Sequence, residues 1–220
     1  FKSDSDALKL IKGKYALSFT DATMADMSAL ATAPNVSKIS ITDTGASIGK
    51  GLNSLIALAK SNKLGPVSVS DDAPLSVTPK QYATLTALPG ADTLFASVNF
   101  KLVNATAADI EGLASSNAMP ANITAVDVQD TSTNIAGKLD TLNTISDLIG
   151  KITFTNKKPE MNLASTDLST YADLLGFIQT GYKLTISDDL SVDAAINLAP
   201  PSANATLSFH ISDTQANIQD

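Results

Sequence analysis

At eight places the chain sets an acid, or its amide, directly after a short run that alternates apolar and polar residues. The runs are LSFTD ending at Asp21, ISITD at Asp43, VSVSD at Asp71, FKLVN at Asn104, VDVQD at Asp130, ITFTN at Asn156, LTISD at Asp188 and FHISD at Asp213. Two kinds of chemistry are open to a carboxylate so placed. It can accept backbone N–H bonds and cap the helix or turn that follows, a role that suits the Asp-Thr pairs at 43/44, 130/131 and 213/214. Alternatively, strands stacked ~4.8 Å apart would bring Asp21, Asp43, Asp71, Asp130, Asp188 and Asp213 close together, and crowded carboxylates invite a hard cation, with calcium the candidate metal. Asn104 and Asn156 dilute the charge of that ladder, and neither an EF-hand loop nor a Gly-Gly-x-Gly-x-Asp nonapeptide is present. Capping is therefore the favoured reading.

The ladder is part of a longer repeat. Its intervals are 22, 28, 33, 26, 26, 32 and 25 residues, the length of one supersecondary unit. Each run has the period-2 pattern of a strand with one buried face, and the inward pairs run from Leu17/Phe19 through Ile39/Ile41 and Val126/Val128 to Phe209/Ile211. After the acid the period changes. Ile48, Leu52, Leu55 and Leu58 lie 5, 9, 12 and 15 residues beyond Asp43, and Ile135, Leu139, Leu142 and Ile145 repeat those offsets from Asp130, one stripe of an amphipathic helix. Gly65, Gly150 and Gly181 stand before strands, where a left-handed helix end favours glycine. Irregular turns are expected at DDAPLSVTPK, with Pro74 and Pro79, and at Pro200–Pro201.

Strands joined by helices run parallel with right-handed crossovers. A doubly wound sheet is the alternative architecture, but it buries both strand faces, whereas here the second face reads Ser40/Thr42, Ser68/Ser70, Thr153/Thr155 and Thr185/Ser187. The expected fold is thus α/β: a right-handed solenoid of seven to eight strand-turn-helix coils with one parallel sheet. Residues 1–220 form one repeat array in this reading. Residues 1–13 resemble the tail of a preceding coil and 207–220 the start of a truncated one, with Ile218 at the offset of 5 from Asp213. A fragment of a longer array is expected, because neither end has the polar cap that closes a solenoid.

Composition removes whole classes of function. All fifteen basic residues are Lys, none is Arg, and the net charge is −7, which excludes a nucleic-acid partner that depends on clustered cations. No Cys is present, so disulfide frameworks and thiolate chemistry are excluded. No apolar run reaches the ~20 residues that span a bilayer. Asp71/Asp72 and Asp188/Asp189 are sequence neighbours whose side chains diverge, so they do not form the facing pair that glycoside hydrolysis needs. His210 is the single histidine and no nucleophile motif accompanies it. No enzyme activity and no resident cofactor are expected. The rows Ser40, Thr42, Ser68, Ser70, Thr153, Thr155, Thr185 and Ser187 could hold a repetitive ligand such as a glycan, but they lack aromatic stacking platforms, and Lys101, Asp127, Gln129 and His210 interrupt the face.

In plan the repeat resembles leucine-rich-repeat proteins, without their Leu-x-x-Leu-x-Leu-x-x-Asn signature. The string D-T-x-x-N-I-x-x-x-L-D-x-L, carried by Asp130, Thr131, Asn134, Ile135, Leu139, Asp140 and Leu142 and followed by LIGKITFT, resembles the repeats of very large bacterial surface or secreted proteins. Those include calcium-binding hemolysin-type adhesins and surface-layer-like proteins. The units starting at Asp43, Asp130 and Asp213 match it best. The resemblance implies an extracellular or cell-surface adhesin stalk, spacer or surface-layer block. Its partners would be other copies or neighbouring repeats, with a cell-surface glycan as the alternative ligand.

Overall fold

A computed structural model describes residues 15–114 and 119–214. The expected tail of a preceding coil and Ile218 lie outside the described residues. The fold is mixed α/β, with three small parallel sheets. Its contacts divide it into two compact units, one of Phe1–Ser76 with Lys80–Asn99, the other of Val77–Pro79 with Phe100–Asp220.

The first unit carries β1 (Leu17–Ala22), α1 (Met27–Thr32), β2 (Val36–Asp43), α2 (Gly45–Lys50), α3 (Leu52–Lys60) and β3 (Leu64–Val69). Its sheet has the order β1-β2-β3, all parallel. The short strand β4 (Leu75–Val77) follows at the boundary, and α4 (Pro79–Thr86) and α5 (Ala91–Leu94) come next.

The second unit carries β5 (Phe100–Ala105), α6 (Ala107–Ala114), β6 (Ile123–Asp130), α7 (Ser132–Ala136), α8 (Leu139–Asn143) and β7 (Ile149–Phe154). Beyond these come β8 (Glu160–Leu163), α9 (Ser165–Thr170), α10 (Ala172–Gly176), β9 (Tyr182–Leu190), α11 (Val192–Ile196) and β10 (Ala205–Ile211). Strands β5, β6 and β7 lie side by side in chain order and parallel, as do β8, β9 and β10. Registered partners in the two units, such as Ile41 with Val67 and Val128 with Ile152, are 19 to 26 residues apart.

All eight alternating runs lie on or end a strand, and their inward residues supply much of the core: Ile39, Ile41, Phe100, Leu102, Val126, Val128, Ile152, Phe154, Leu184 and Ile186 are buried. The helical stripe is buried as well. Ile48, Leu52, Leu55 and Leu58 pack inward in the first unit, and Ile135, Leu139, Leu142 and Ile145 in the second. What differs is that each stripe is carried by two short helices instead of one, with Ile145 just beyond the second of its pair. The break falls at Gly51 between α2 and α3 and at Gly137–Lys138 between α7 and α8, where glycine's low helix propensity lets the chain bend.

Three further expectations are corrected. Gly65, Gly150 and Gly181 are not left-handed; Gly90 is the described glycine with positive φ, while Asn35 and Asn62 take the left-handed position ahead of β2 and β3. Gly65 lies within β3 and Gly150 within β7 because space runs out there. A Cβ at 65 would stand 2.5 Å from Ser40 Oγ, and one at 150 would stand 3.0 Å from Asp127 Oδ1. The stretch DDAPLSVTPK is not only a turn, since its LSV forms β4. Phe209 and Ile211 are not buried: these two side chains stay 40% and 42% exposed, beside an irregular register of β10 on β9 between Ser208 and His210.

Candidate functional site

The most regular polar arrangement is the ladder, and its geometry differs from a simple cap of the next helix. Six of the eight ladder side chains reach back to the preceding turn of chain. In the first unit Met24 N donates to Asp43 Oδ2 at 2.9 Å and Gly45 N to Asp71 Oδ1 at 3.1 Å. In the second, Ala107 N donates to Asp130 Oδ2 at 3.0 Å, Ser132 N to Asn156 Oδ1 at 3.0 Å, Ser165 N to Asp188 Oδ1 at 2.7 Å and Val192 N to Asp213 Oδ2 at 2.9 Å. Gly45, Ala107, Ser132, Ser165 and Val192 are the first residues of α2, α6, α7, α9 and α11. Their N–H groups have no partner within the helix. The acid or amide on or just after one strand thereby closes the open end of the helix that follows the preceding strand.

The second carboxylate oxygen often serves the ladder residue's own turn. Thr44 N donates to Asp43 Oδ1 and Thr131 N to Asp130 Oδ1, both at 2.7 Å, and Asn134 Nδ2 adds a bond to Asp130 Oδ1 at 2.7 Å. The threonine then caps in its turn, with Thr44 Oγ1 accepting from Ser47 N and Thr131 Oγ1 from Asn134 N. Thr106 and Asp109 cap each other reciprocally in the capping-box manner. Asp21 and Asn104 are the exceptions, both with left-handed backbone. The helix that follows the strand before β5, α4, starts at Pro79, which has no N–H to offer Asn104.

Asn156 is more than a neutral substitute for Asp. Its Nδ2 donates to Ser132 Oγ and to the Lys158 carbonyl, and the second of these needs a proton that a carboxylate does not have.

Hydrogen bonding to backbone N–H holds acids in their charged form. The Met24 and Thr44 amides keep Asp43 below the ordinary carboxylate range, and the Ser165 hydroxyl and amide do so for Asp188. A depressed native pKa contributes stability above the unfolded value of about 3.9 that is lost as pH falls through the native one. Thermal melts should therefore be flat from pH 7 to about 5 and decline below about pH 4. An Asp43→Asn, Asp188→Asn double variant should show a shallower decline.

Calcium needs several oxygens converging on a point with lone pairs free. Most ladder oxygens instead face N–H donors, and among the described residues no group of three or more acids or histidines is gathered around a point that could hold a metal. Millimolar calcium is expected to leave the melting temperature unchanged in differential scanning calorimetry; a rise of several degrees would contradict this.

The Ser/Thr face is placed as a polar surface, with Ser40, Thr42, Ser68, Thr153 and Thr185 half-buried and Ser70, Thr155 and Ser187 exposed. Some of it is already engaged, since Thr42 Oγ1 donates to Asp21 Oδ1 and Ser40 crowds Gly65. On the same face of β5, β6 and β7, Asp127 lies between Lys101 Nζ at 3.0 Å and Lys151 Nζ at 3.7 Å. Asp127 thus joins three strands where it looked like an interruption. Parallel register at 127 and 151 was the signal that could have shown it.

The remaining candidates are dispersed. Asp72 is exposed and left-handed beside the engaged Asp71, Asp189 lies 4.0 Å from His210 with both side chains largely in solvent, and no nucleophile accompanies them. No described helix is long and apolar enough to cross a membrane. No family model matches this chain, and no curated protein or solved structure matches it either.

Proposed function

We propose that this chain is a structural and interaction module, a right-handed solenoid array from a bacterial cell-surface or secreted protein that works by stacking and lateral association. The solenoid plan rests on strands that follow one another in chain order, parallel, at steps of 19 to 26 residues. A second strand face left polar and half open fits helices on one side only.

The single observation that carries the interaction role is the margin of the β8-β9-β10 sheet. Among the described residues strand β10 stands at its edge with Phe209 and Ile211 exposed, and Ile196 of α11 is 75% exposed. An exposed apolar edge strand is a template for another chain. Sedimentation velocity over a hundredfold concentration range should show reversible association, and Phe209→Lys with Ile211→Lys should leave a monomer. A wild-type chain that stays monomeric throughout would reject the proposal.

A further inference from the structure

The helices of the first unit leave a groove of about 750 Å³ between α1 and the α2–α3 pair, within the size range of small-molecule sites. Its origin can be read by counting from the ladder. In the second unit Glu111, seven residues after Asn104, receives Lys138, eight after Asp130, in an ion pair of 2.7 Å that ties one coil's helix to the next. The same places in the first unit are Ser28, seven after Asp21, and Gly51, eight after Asp43. Both line the groove, and neither carries a long side chain to bridge it.

Met24 fills part of the vacated space, and a Cβ on Gly51 would lie 2.0 Å from Met24 Cε. Met24 and Met27 give the lining an adaptable thioether surface, extended by Ala31 and Leu58. The polar part of the lining is one-sided in charge. Lys50 and Lys63 contribute to it, and no acid does. Lys63 Nζ donates to the Ala31 carbonyl, a neutral acceptor, and among the described residues neither lysine forms an ion pair. Two lysines with no carboxylate partner among the described residues are unusual beside an apolar groove in a chain of net charge −7.

We propose that this groove binds a small anionic amphiphile, an alkyl carboxylate of medium chain length, with the chain against Met24, Met27 and Leu58 and the head group between Lys50 and Lys63. The methionines can shift to follow an alkyl chain, and an ammonium–carboxylate contact at the rim is a charge-assisted bond. This site does not depend on self-association.

The test is titration of the folded chain with dodecanoate below its micelle concentration, followed by calorimetry and by amide NMR shifts. One saturable site is expected, with shifts confined to residues 24–32 and 47–63. Rebuilding the bridge with Ser28→Glu and Gly51→Lys should weaken binding about tenfold or more by closing the groove, and Lys50→Gln with Lys63→Gln should weaken it about tenfold by removing the cations. The second pair keeps the test decisive if the first does not fold, since it alters surface side chains. Absence of saturable binding, shifts elsewhere, or equal affinity in the lysine variant would overturn the proposal.

Discussion

Asp130→Ala is expected to destabilise the second unit by about 3 to 4 kcal/mol, the largest effect of any polar substitution in the chain. Asp130 is 7% exposed and accepts from Ala107 N, Thr131 N and Asn134 Nδ2. Bonds to a charged acceptor contribute about 1.5 to 3 kcal/mol, and a buried N–H left without a partner costs about 1 to 3. Relaxation and water entry recover part of that sum. At about 2 to 4 °C per kcal/mol for a chain of this size the melting temperature should fall by roughly 10 °C. Asp71→Ala is the matched control: Asp71 is exposed, its reach back is one bond to Gly45, and the expected loss is about 1 kcal/mol. Equal, small effects at both positions would show that the ladder contributes little to stability.

Ile135→Ala should cost about 3 to 4 kcal/mol by a different route. Ile135 is fully buried on α7, five residues after Asp130, and large-to-small changes in a packed core lose transfer energy and leave a cavity. On the proposed solenoid plan stability is close to a sum of repeat and interface terms, so the damage should spread unevenly. Native-state hydrogen exchange should speed most in α7, α8 and the strands β6 and β7, and least in β9 and β10. Uniform acceleration through the second unit would point to one cooperative block instead of coupled coils. Combined with Asp130→Ala the effects should add to less than their sum, because both residues fix the same turn.

Much of this was legible in the sequence because period-2 and helical patterns are imposed by burial, and burial is what each unit shares. Ile41, Val128 and Ile152 could be placed inside, and Ile48 and Ile135 assigned to the same offset, from spacing alone. The failures have local physical causes. Gly65 and Gly150 were read as helix ends, but the need for glycine came from side chains on the neighbouring strand, Ser40 and Asp127, which only register reveals. Phe209 and Ile211 obeyed the pattern and still lie exposed, because a pattern records which face a residue would bury and not whether a neighbour covers it. Strands β4 and β8 were missed since each is short and follows a turn containing Pro74 or Pro159.

The ladder was found by its spacing, and its direction was not. Local sequence favours a cap on the adjoining helix, and the Asp-Thr pairs do make that contact through Asp43 Oδ1 and Asp130 Oδ1. The other oxygen accepts from a backbone N–H that lies 19 to 26 residues earlier in the chain, in five of six cases the first of a helix. Parallel stacking creates that proximity, and no local propensity encodes it. The same displacement explains why these acids resemble a metal ladder on paper but spend their oxygens on backbone amides.

The most direct test of the coil-to-coil role of these acids is the pH dependence of two amide proton shifts, those of Met24 and Ser165, by NMR. An amide bonded to a carboxylate follows that carboxylate's titration. Met24 should titrate with Asp43, and Ser165 with Asp188, each with a midpoint below the ordinary value of about 3.9 and each vanishing in the corresponding Asp→Asn variant. Flat shifts at Met24 and Ser165 while Thr44 still titrates would mean that the acids cap only their own turn, and the coil-to-coil account would be wrong.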